Sequence, residues 1–588
     1  MTPYSYHYDK NELESAFELD DDDSIFSRTS LDHHLSQHQH KRTSHNLDQD
    51  DNDDDDDALS LLSDHDEQTL LPSARHSNRS TASIFSFETI PMIPLTQTQS
   101  RAPELQRKVS LINGLGLVIG SMIGSGLFSS PGPVLEATGA TGTALLVWLA
   151  AGLLALSGAL CYAELGTLFT ENGGEILYLG RAYGSMVAFV FEFVTIMVQK
   201  PGSVAIVCTV LGEYISRIAY HTYFFNIPHD SDAAVELADS VIPDFLPKLV
   251  ATVSLILLGL INTLSTRAGI HVQDILTVLK VLTAVIISVT GVVLLAQGTM
   301  QGNSFQTEPL FAGIDSIGFG QYTMAFYSGL WAYDGWNSLN YISGEMKDPH
   351  RDLPRVLFFG IPLVIICYLL ANVAYLGVLR PEVVMHTNTV AMDFGKKVFG
   401  QIGGILFAAS VALSCFGSAN ASIFTGSRII YVSAKQGHLP AFLGKLNGNR
   451  QTPVTAVALQ LALTTIFIWV GSFRALIKFY SVCAWLFHFL GVFSLLVFRY
   501  REPELKRPFK VWLPTPILFC MIALFLFTTP FLEAPYESLS ALGFLLLAIP
   551  IYLVNIKYRA TLISFWIDIT DRVRRKHKGY QGMEMTET

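Results

Sequence analysis

The chain has 588 residues, of which 50% are hydrophobic and only 15% are charged. This composition is typical of a membrane protein and argues against a soluble enzyme or a nucleic-acid-binding protein, whose surfaces carry far more charge. The formal net charge of −11 comes from one end of the chain, because residues 1–100 hold 21 acidic and 6 basic side chains.

The amino-terminal segment, residues 1–108, is predicted to be a disordered acidic tail. It contains aspartate runs at residues 20–23 and 53–57 and a histidine-rich stretch at residues 33–45, with too few apolar residues to form a core. Its first residues lack the order of charged, apolar and small residues that marks a signal peptide, so we expect the tail to stay in the cytosol.

Apolar segments long enough to cross about 30 Å of hydrocarbon recur from residue 109 to residue 556. We predict twelve of them, approximately at residues 109–136, 142–168, 185–216, 246–265, 271–297, 318–344, 354–379, 399–433, 453–471, 475–498, 512–531 and 537–556. Lysine and arginine are about twice as frequent in the loops on the side of the amino terminus, so the positive-inside rule places both termini in the cytosol. The carboxyl tail, residues 557–588, is basic and belongs to the same side.

Two of these segments are interrupted by residues that a continuous helix would not favour. The first contains Gly-Ser-Met-Ile-Gly-Ser-Gly-Leu-Phe at residues 120–128, and the sixth contains Gly-Leu-Trp-Ala-Tyr-Asp-Gly-Trp-Asn at residues 329–337. Unwound backbone inside a bilayer is tolerated only where protein buries it or where it lines a cavity. Because the breaks lie five helices apart, the pattern predicts an all-α membrane protein with a five-plus-five inverted repeat and a binding site between broken helices 1 and 6.

The first break supplies candidate groups for a ligand. The backbone N–H groups of Ser125, Gly126 and Leu127 would begin a half-helix with partial positive charge, which suits a carboxylate. Gly124 and Gly126 allow a ligand to approach the backbone closely, although small residues also allow tight packing between helices.

Five further motifs accompany the two breaks. They are Gly-Ala-Leu-Cys-Tyr-Ala-Glu-Leu-Gly at residues 158–166, Val-Gln-Asp at 272–274 with Lys280, Gly-Glu-Met at 344–346 with Arg-Asp-Leu-Pro at 351–354, Leu-Ser-Cys-Phe-Gly-Ser at 413–418 and Gly-His-Leu-Pro at 437–440. With these motifs the chain, from residue 111 to about residue 552, resembles the L-type amino acid transporter family of the amino acid, polyamine and organocation superfamily, especially its stand-alone fungal members. The resemblance implies the LeuT-like fold of twelve transmembrane helices and the movement of amino acids across membranes, often by exchange.

The resemblance also implies roles for residues at the two breaks. It assigns the carboxylate of an amino acid to Ser125 and Gly126, and the amino group to carbonyl groups near Ile123 and Trp331. Trp331 stands where the family has an aromatic lid above the substrate, and Asn337 where it has a polar contact near the site. A core or interfacial position would also explain a tryptophan here.

Lys280 lies about nine residues into the predicted fifth segment, where burying its charge costs about 2.5–3.5 kcal/mol. In relatives that use sodium, a cation joins the first helix to the eighth, and sodium-independent members place a lysine there. We therefore expect Lys280 to bond the carbonyl groups around residues 120–124 and the region of Ser414 or Ser418, and we expect transport without sodium. The alternative is that Lys280 extends to the membrane interface.

Asp334 departs from the vertebrate pattern, in which a small residue usually stands at this point of the sixth-helix break. A carboxylate beside the substrate could bind the amino group or exchange a proton with it. Aspartate is also a preferred residue just before a helix begins, so Asp334 could instead cap a half-helix that opens at residues 335–336.

Four further charged residues lie within or at the ends of the predicted helices: Glu164, Glu192, Lys200 and Glu345. The first and last of these lie at cytosolic ends and are expected to be solvated or paired with Arg351 or Arg355. The other two lie eight residues apart on the third segment, on roughly one helix face, which favours pairing through a network.

All six cysteines lie in predicted membrane segments, at residues 161, 208, 367, 415, 483 and 520. Vertebrate relatives join a single-span glycoprotein through a cysteine between helices 3 and 4, but residues 217–248 contain none, so we expect no disulfide-linked heavy chain. The sequence has no zinc-binding spacing, cofactor motif or enzymatic nucleophile with its base.

The sequence therefore predicts a secondary transporter of L-amino acids with alternating access, working by exchange or by proton-coupled uptake. Large neutral amino acids are the first choice, and methionine is included because the fungal branch contains methionine permeases. The alternative is a sensor that binds an amino acid without moving it and signals through its tail. We expect the plasma membrane, with the vacuolar membrane as the alternative.

The tail carries a serine-rich segment at residues 77–86 together with Lys10 and Lys41. This composition suits phosphorylation and recognition by a ubiquitin-ligase adaptor, whereas an inert solubilising tail is the other interpretation.

Overall fold

The computed structural model describes residues 109–223, 242–264, 266–298, 310–311, 317–447, 452–533 and 535–554. The two predicted tails lie outside these ranges. The α-helices of the described chain are α1 (Leu111–Met122), α2 (Gly126–Ser129), α3 (Pro131–Thr138), α4 (Thr141–Leu168), α5 (Glu175–Tyr183), α6 (Ser185–Val194), α7 (Lys200–Tyr223), α8 (Phe245–Leu264), α9 (Thr266–Ala296), α10 (Phe319–Ala332), α11 (Pro349–Val378), α12 (Pro381–His386), α13 (Val390–Lys435), α14 (Val454–Val470), α15 (Phe473–Arg501), α16 (Pro514–Thr528), α17 (Pro530–Glu533) and α18 (Pro535–Tyr552). A π turn (Thr195–Gln199) joins α6 to α7, and 3₁₀ helices cover Ser338–Glu345 and Ala441–Gly444.

Within the described ranges, ten helical segments are long and apolar enough to cross a membrane. Helix α14 is apolar but has only 17 residues, and α10 has 14 residues before the sixth-helix break. Large apolar side chains such as Ile256 and Leu260 are more than half exposed on the outside of the bundle, as expected for a surface that faces lipid. The prediction of an all-α membrane protein is confirmed, while the count of twelve spans stays a prediction.

Two helices extend beyond their predicted bounds. The third segment passes through the π turn without a loop and continues to Tyr223, so the connection predicted to start near Arg217 starts later. Helix α13 begins at Val390, nine residues before the predicted eighth segment, and bends at Gly400, where the backbone has a φ of +73°. An L side chain rarely adopts this conformation, so a glycine is suited to the bend.

The helices of the interior pack in pairs around the first break. Helix α4 packs against α11, and α7 packs against α13. The short helix α2 contacts both α10 and α13, and α3 contacts α10. The first break therefore lies between the two long segments that the sequence predicts to be helices 6 and 8.

The start of the described chain lies beside the end of the 3₁₀ helix at Ser338–Glu345. The N–H of Val109 donates to the carbonyl oxygen of Glu345 at 2.9 Å, and the N–H of Lys347 donates back to Val109 at 3.0 Å. Helix α11 follows, with the Asp348 side chain accepting from the N–H of Arg351 at 3.3 Å and Pro349 in the first turn.

Candidate functional site

The first break covers residues 123–125. Helix α1 ends because Ile123 adopts an extended conformation, with φ −69° and ψ 101°, and the next helix starts only at Gly126. Ile123, Ser125 and Leu127 are all buried. A Cβ atom on Gly124 would lie 3.9 Å from Ser418 Oγ, so this break faces α13 as the resemblance implies.

The second break covers residues 333–337 and is closed by a glycine with a left-handed backbone. Gly335 has a φ of +102°, and a Cβ atom there would lie 3.1 Å from Ser121 on α1. The Ser121 hydroxyl donates to the Gly335 carbonyl oxygen at 3.1 Å. A side chain at position 335 would therefore be strained by the backbone and crowded by the first broken helix.

The two breaks lie directly against each other. A Cβ atom on Gly126 would lie only 2.4 Å from the Ala332 Cα atom, so a glycine is needed for the close approach. The hydroxyl of Tyr368, on α11, lies 2.7 Å from the Met122 carbonyl oxygen and 3.0 Å from that of Ala332. These carbonyl groups end α1 and α10, and one side chain therefore holds both half-helix ends.

Two aromatic side chains pack against each other beside the second break. Trp331 is 8% exposed, and its ring packs edge to face on Tyr480 of α15 with 5.1 Å between centroids. The indole N–H of Trp331 has no hydrogen-bond partner within the described residues, and its carbonyl oxygen accepts from the Asp334 N–H at 3.2 Å. Trp331 thus lies in the last turn of α10, two residues before the break, with a polar N–H left for another group.

Asp334 does not cap a half-helix in the expected way. Its carboxylate accepts from the neighbouring Gly335 N–H at 2.9 Å and from the Tyr480 hydroxyl at 2.8 Å. The residue that precedes the 3₁₀ helix is Asn337, whose side chain makes no capping bond, so the capping interpretation is wrong. The negative charge of Asp334 acts on the Lys200 ammonium, which begins α7 after the π turn.

Asn337 is bonded to the buried carboxylate of Glu175, which was not predicted from the sequence. Its amide donates to Glu175 Oε1 at 3.2 Å. Glu175 begins α5 and is 3% exposed. Burial alone would raise the pKa of Glu175, but hydrogen bonds and charge from His488, with bonds from Tyr162 and Asn337, lower it below its ordinary value. The signal in the sequence was a glutamate directly after Gly173 and Gly174 in a loop between two apolar segments.

Lys280 lies in the interior, on α9, and is 3% exposed, so the interpretation that it reaches the membrane interface is wrong. Its ammonium acts electrostatically on the Cys415 thiol of α13. Ser414 Oγ has no hydrogen-bond partner within the described residues, so the expected bond from Lys280 to Ser414 is not formed. The bonds expected with Ser418 and with residues 120–124 stay predictions.

The glutamates at the ends of the second and sixth segments have other partners than those expected. Glu164 is fully buried and accepts two hydrogen bonds from Arg499, one of them at 2.9 Å, and one from the Val511 N–H at 2.8 Å. Glu345 is buried and accepts from the Asn172 amide at 3.2 Å. The predicted solvation or pairing of these two glutamates with the arginines at positions 351 and 355 is therefore wrong.

The expected network between Glu192 and Lys200 is also absent from the described residues. Glu192 lies 2.7 Å from His438 Nδ1 and accepts a hydrogen bond from Ser433, whereas Lys200 faces Asp334. The π turn between the two residues changes the helical register, so a spacing of eight residues no longer places them on one face.

All six cysteine thiols are free. Within the described ranges, no group of three or more histidine, cysteine, aspartate or glutamate side chains could hold a metal ion. The site at the breaks is consequently made of backbone groups, aromatic rings and the Asp334 and Glu175 carboxylates.

Comparison with known proteins identifies the family. A model of the family described as amino acid permease matches residues 109–554. The b(0,+)-type amino acid transporter 1 of Homo sapiens is 38% identical over 467 residues, which cover 78% of this chain and 91% of that protein. The large neutral amino acids transporter small subunit 2 of Oryctolagus cuniculus is 33% identical over 476 residues, which cover 80% of this chain and 85% of that protein. The chain therefore belongs to the amino acid permease family, within its L-type amino acid transporters, and is a transporter rather than an enzyme.

Proposed function

We propose that this transporter binds the zwitterion of an L-amino acid between the two breaks and moves it by alternating access. The carboxylate binds backbone N–H groups of Ser125, Gly126 and Leu127, and the amino group binds carbonyl groups near Ile123 and Trp331. The observation that carries this proposal is the meeting of the two half-helix ends at the Tyr368 hydroxyl. A small ligand that joins both breaks can then favour one arrangement of the two half-helices over another.

The substrate class is large neutral amino acids, including methionine. The edge-to-face pair of Trp331 and Tyr480 offers an apolar surface beside the second break, with which a methionine thioether makes favourable contacts. Asp334 is already bonded by Tyr480 and faces the fixed charge of Lys200, which supports a site with little free charge for the substrate side chain. One of the relatives is named for large neutral amino acids. Asn337 contributes indirectly, because its amide donates a hydrogen bond to the Glu175 carboxylate.

Transport is independent of sodium. The buried ammonium of Lys280 lies between α9 and α13, beside the cysteine that follows Ser414. Ser418 lies beside Gly124 of the first break. A fixed positive charge at this position opposes the binding of a sodium ion between the first break and α13.

The transporter works in the plasma membrane, with the vacuolar membrane as the alternative, and without a disulfide-linked heavy chain. The absence of a cysteine from residues 217–248 supports the absence of a covalent partner. Both termini lie in the cytosol, where the amino-terminal tail is available to a ubiquitin-ligase adaptor.

Reconstitution of the full chain in liposomes tests the function. Labelled methionine and leucine are offered to vesicles that are empty or loaded with unlabelled amino acid, in sodium buffer or with choline in its place. We expect exchange in loaded vesicles to be unchanged by choline. Uptake that requires sodium contradicts the role of Lys280, and binding without uptake under every condition identifies a sensor instead.

A further inference from the structure

Glu175 collects hydrogen bonds from four separate parts of the fold. Its Oε1 atom accepts from the Tyr162 hydroxyl at 2.5 Å, the Asn337 amide at 3.2 Å and His488 Nδ1 at 3.1 Å. Its Oε2 atom accepts from the Tyr341 hydroxyl at 3.2 Å. These donors belong to α4, the second break, α15 and the 3₁₀ helix that follows the break.

Two of the four donors belong to the second break and to the 3₁₀ helix that follows it. Asn337 ends the second break, and Tyr341 lies within the 3₁₀ helix at Ser338–Glu345. Glu175 therefore anchors that half-helix to α5 and α15. A change in the charge of Glu175 would alter both bonds and so reach the second break, which Asn337 ends.

His488 is the partner of Glu175 whose ring can hold either one or two protons. Histidine is the side chain that ordinarily titrates between pH 5 and 8. The imidazole is 9% exposed and lies between Trp336 and Trp485, with 5.0 and 5.5 Å between ring centroids. Its Nδ1 atom lies 3.1 Å from Glu175 Oε1, so the imidazole and the carboxylate form a buried pair.

Other titratable groups surround this pair on every neighbouring element. They are Tyr162 on α4, Tyr178 on α5, Lys200 on α7, Asp334 in the second break, Tyr341 on the 3₁₀ helix and Tyr480 on α15. Lys200 interacts with both Asp334 and Glu175, so one fixed positive charge is shared between two carboxylates.

We propose that the His488–Glu175 pair is the proton-binding site that couples amino acid uptake to the pH gradient, which rests on the function proposed above. One proton binds the imidazole together with the substrate. The imidazolium draws the carboxylate toward α15 and weakens the bonds to Asn337 and Tyr341, which frees the second half-helix to move. Release of the proton to the cytosol restores the neutral imidazole and the four-bonded carboxylate.

Vesicles that contain the full chain test the proposal with two histidine variants. His488→Gln removes the titratable group, and His438→Gln is the matched control because His438 forms the other histidine–glutamate pair, with Glu192 at 2.7 Å. The measurement is the ratio of methionine uptake rates with and without an inside-alkaline gradient in empty vesicles, so a lower overall rate does not hide the effect. For one proton per substrate, a gradient of one pH unit supports accumulation of up to about tenfold in the wild type.

We expect His488→Gln to lose the gradient ratio and His438→Gln to keep it. Retention of the ratio in His488→Gln, or its loss in both variants, overturns the proposal. Methionine exchange at equal pH in loaded wild-type vesicles tests the underlying function separately. Intact exchange without gradient-driven accumulation overturns only the proton site, whereas absence of exchange overturns the proposed function.

A second measurement keeps the test decisive where His488→Gln does not fold. Wild-type protein in weakly buffered detergent receives methionine, and a pH-sensitive dye reports the protons taken up on binding. We expect net proton uptake when methionine binds. Binding of methionine with no proton uptake between pH 5 and 8 overturns the proposal.

Discussion

The Tyr368 hydroxyl lies 2.7 Å from the carbonyl oxygen of Met122, the last residue of α1. It also lies 3.0 Å from the Ala332 carbonyl oxygen at the end of α10. Carbonyl groups at a helix end lack intrahelical partners, and inside a membrane they need another donor. Tyr368 supplies that donor to both broken helices and sets the spacing between them.

Tyr368→Phe should impair transport more than folding. The loss of a shared buried donor costs about 1–3 kcal/mol, which corresponds to a fall in uptake of about 5- to 150-fold where the spacing of the breaks limits transport. Tyr375→Phe on the same helix is the matched control, because its buried hydroxyl has no hydrogen-bond partner in the described part of the chain. Initial exchange rates and thermal unfolding of both variants in detergent measure the effects. Equal exchange rates in the two variants would contradict the bridging role.

Gly126→Ala should abolish transport. The added methyl group would lie 2.4 Å from the Ala332 Cα atom, and because that atom belongs to the backbone, the two breaks must move apart. Gly543→Ala on α18 is the control, since a Cβ atom there meets nothing within 4 Å. We expect its exchange rate to stay within about twofold of the wild type, as surface helix substitutions alter stability by less than about 0.5 kcal/mol. Normal exchange by Gly126→Ala would show that the breaks do not need this contact.

Glu164→Gln should destabilise the protein strongly. Removing one member of a buried ion pair costs about 3–5 kcal/mol, because Arg499 would keep its charge without its partner. Glu136→Gln is the control, since the Glu136 and Arg474 side chains are 42% and 47% exposed and such pairs contribute about 0–1 kcal/mol. Unfolding in detergent, followed by the denaturant midpoint, compares the two. Equal midpoints would mean that the pair with Arg499 is not formed in the membrane protein.

The breaks were predictable from sequence, whereas the partners of buried charges were not. Glycines within a long apolar segment give a local signal, and the structure places the breaks at residues 123–125 and 333–337 as expected. Glu164 was expected to be solvated or to pair with Arg351 or Arg355, yet its partner is Arg499, 335 positions away in the chain. Such pairing depends on how distant helices pack, and no local pattern of residues encodes it.

Tyr368 is a residue of the site itself that could not be predicted from the sequence. It lies in an uninterrupted apolar helix, and its acceptor on Met122 is 246 positions away, so neither periodicity nor spacing marks it. The π turn before Lys200 had no signal of glycine or proline inside it either. It redirected Lys200 from Glu192 to Asp334, and so changed the electrostatics of the second break.

Glu345 should make stability fall as pH rises. Burial raises its pKa to about 7, so the folded protein holds a proton on Glu345 that the unfolded chain releases near its ordinary pKa of 4.5. The contribution is most favourable below pH 4.5 and is lost as pH rises through 7. We expect Glu345→Gln to raise the unfolding temperature relative to the wild type at pH 8 and to change it little at pH 5. The exposed Glu382→Gln serves as control, and a difference that does not grow with pH would contradict the assignment.

Asp334→Asn should lower substrate affinity without changing proton coupling. The Gly335 N–H and the Tyr480 hydroxyl bond different oxygens of Asp334, so the amide oxygen of asparagine can keep only one of these bonds, and the charge opposite Lys200 is lost. We expect the half-saturation concentration for methionine to rise about tenfold, equivalent to about 1.4 kcal/mol. The gradient ratio should match the wild type, because the proton is assigned to His488 rather than to Asp334. The same uptake assay distinguishes Glu175 from Asp334 as the coupling carboxylate. If Asp334→Asn loses the gradient ratio while His488→Gln keeps it, the coupling carboxylate is Asp334.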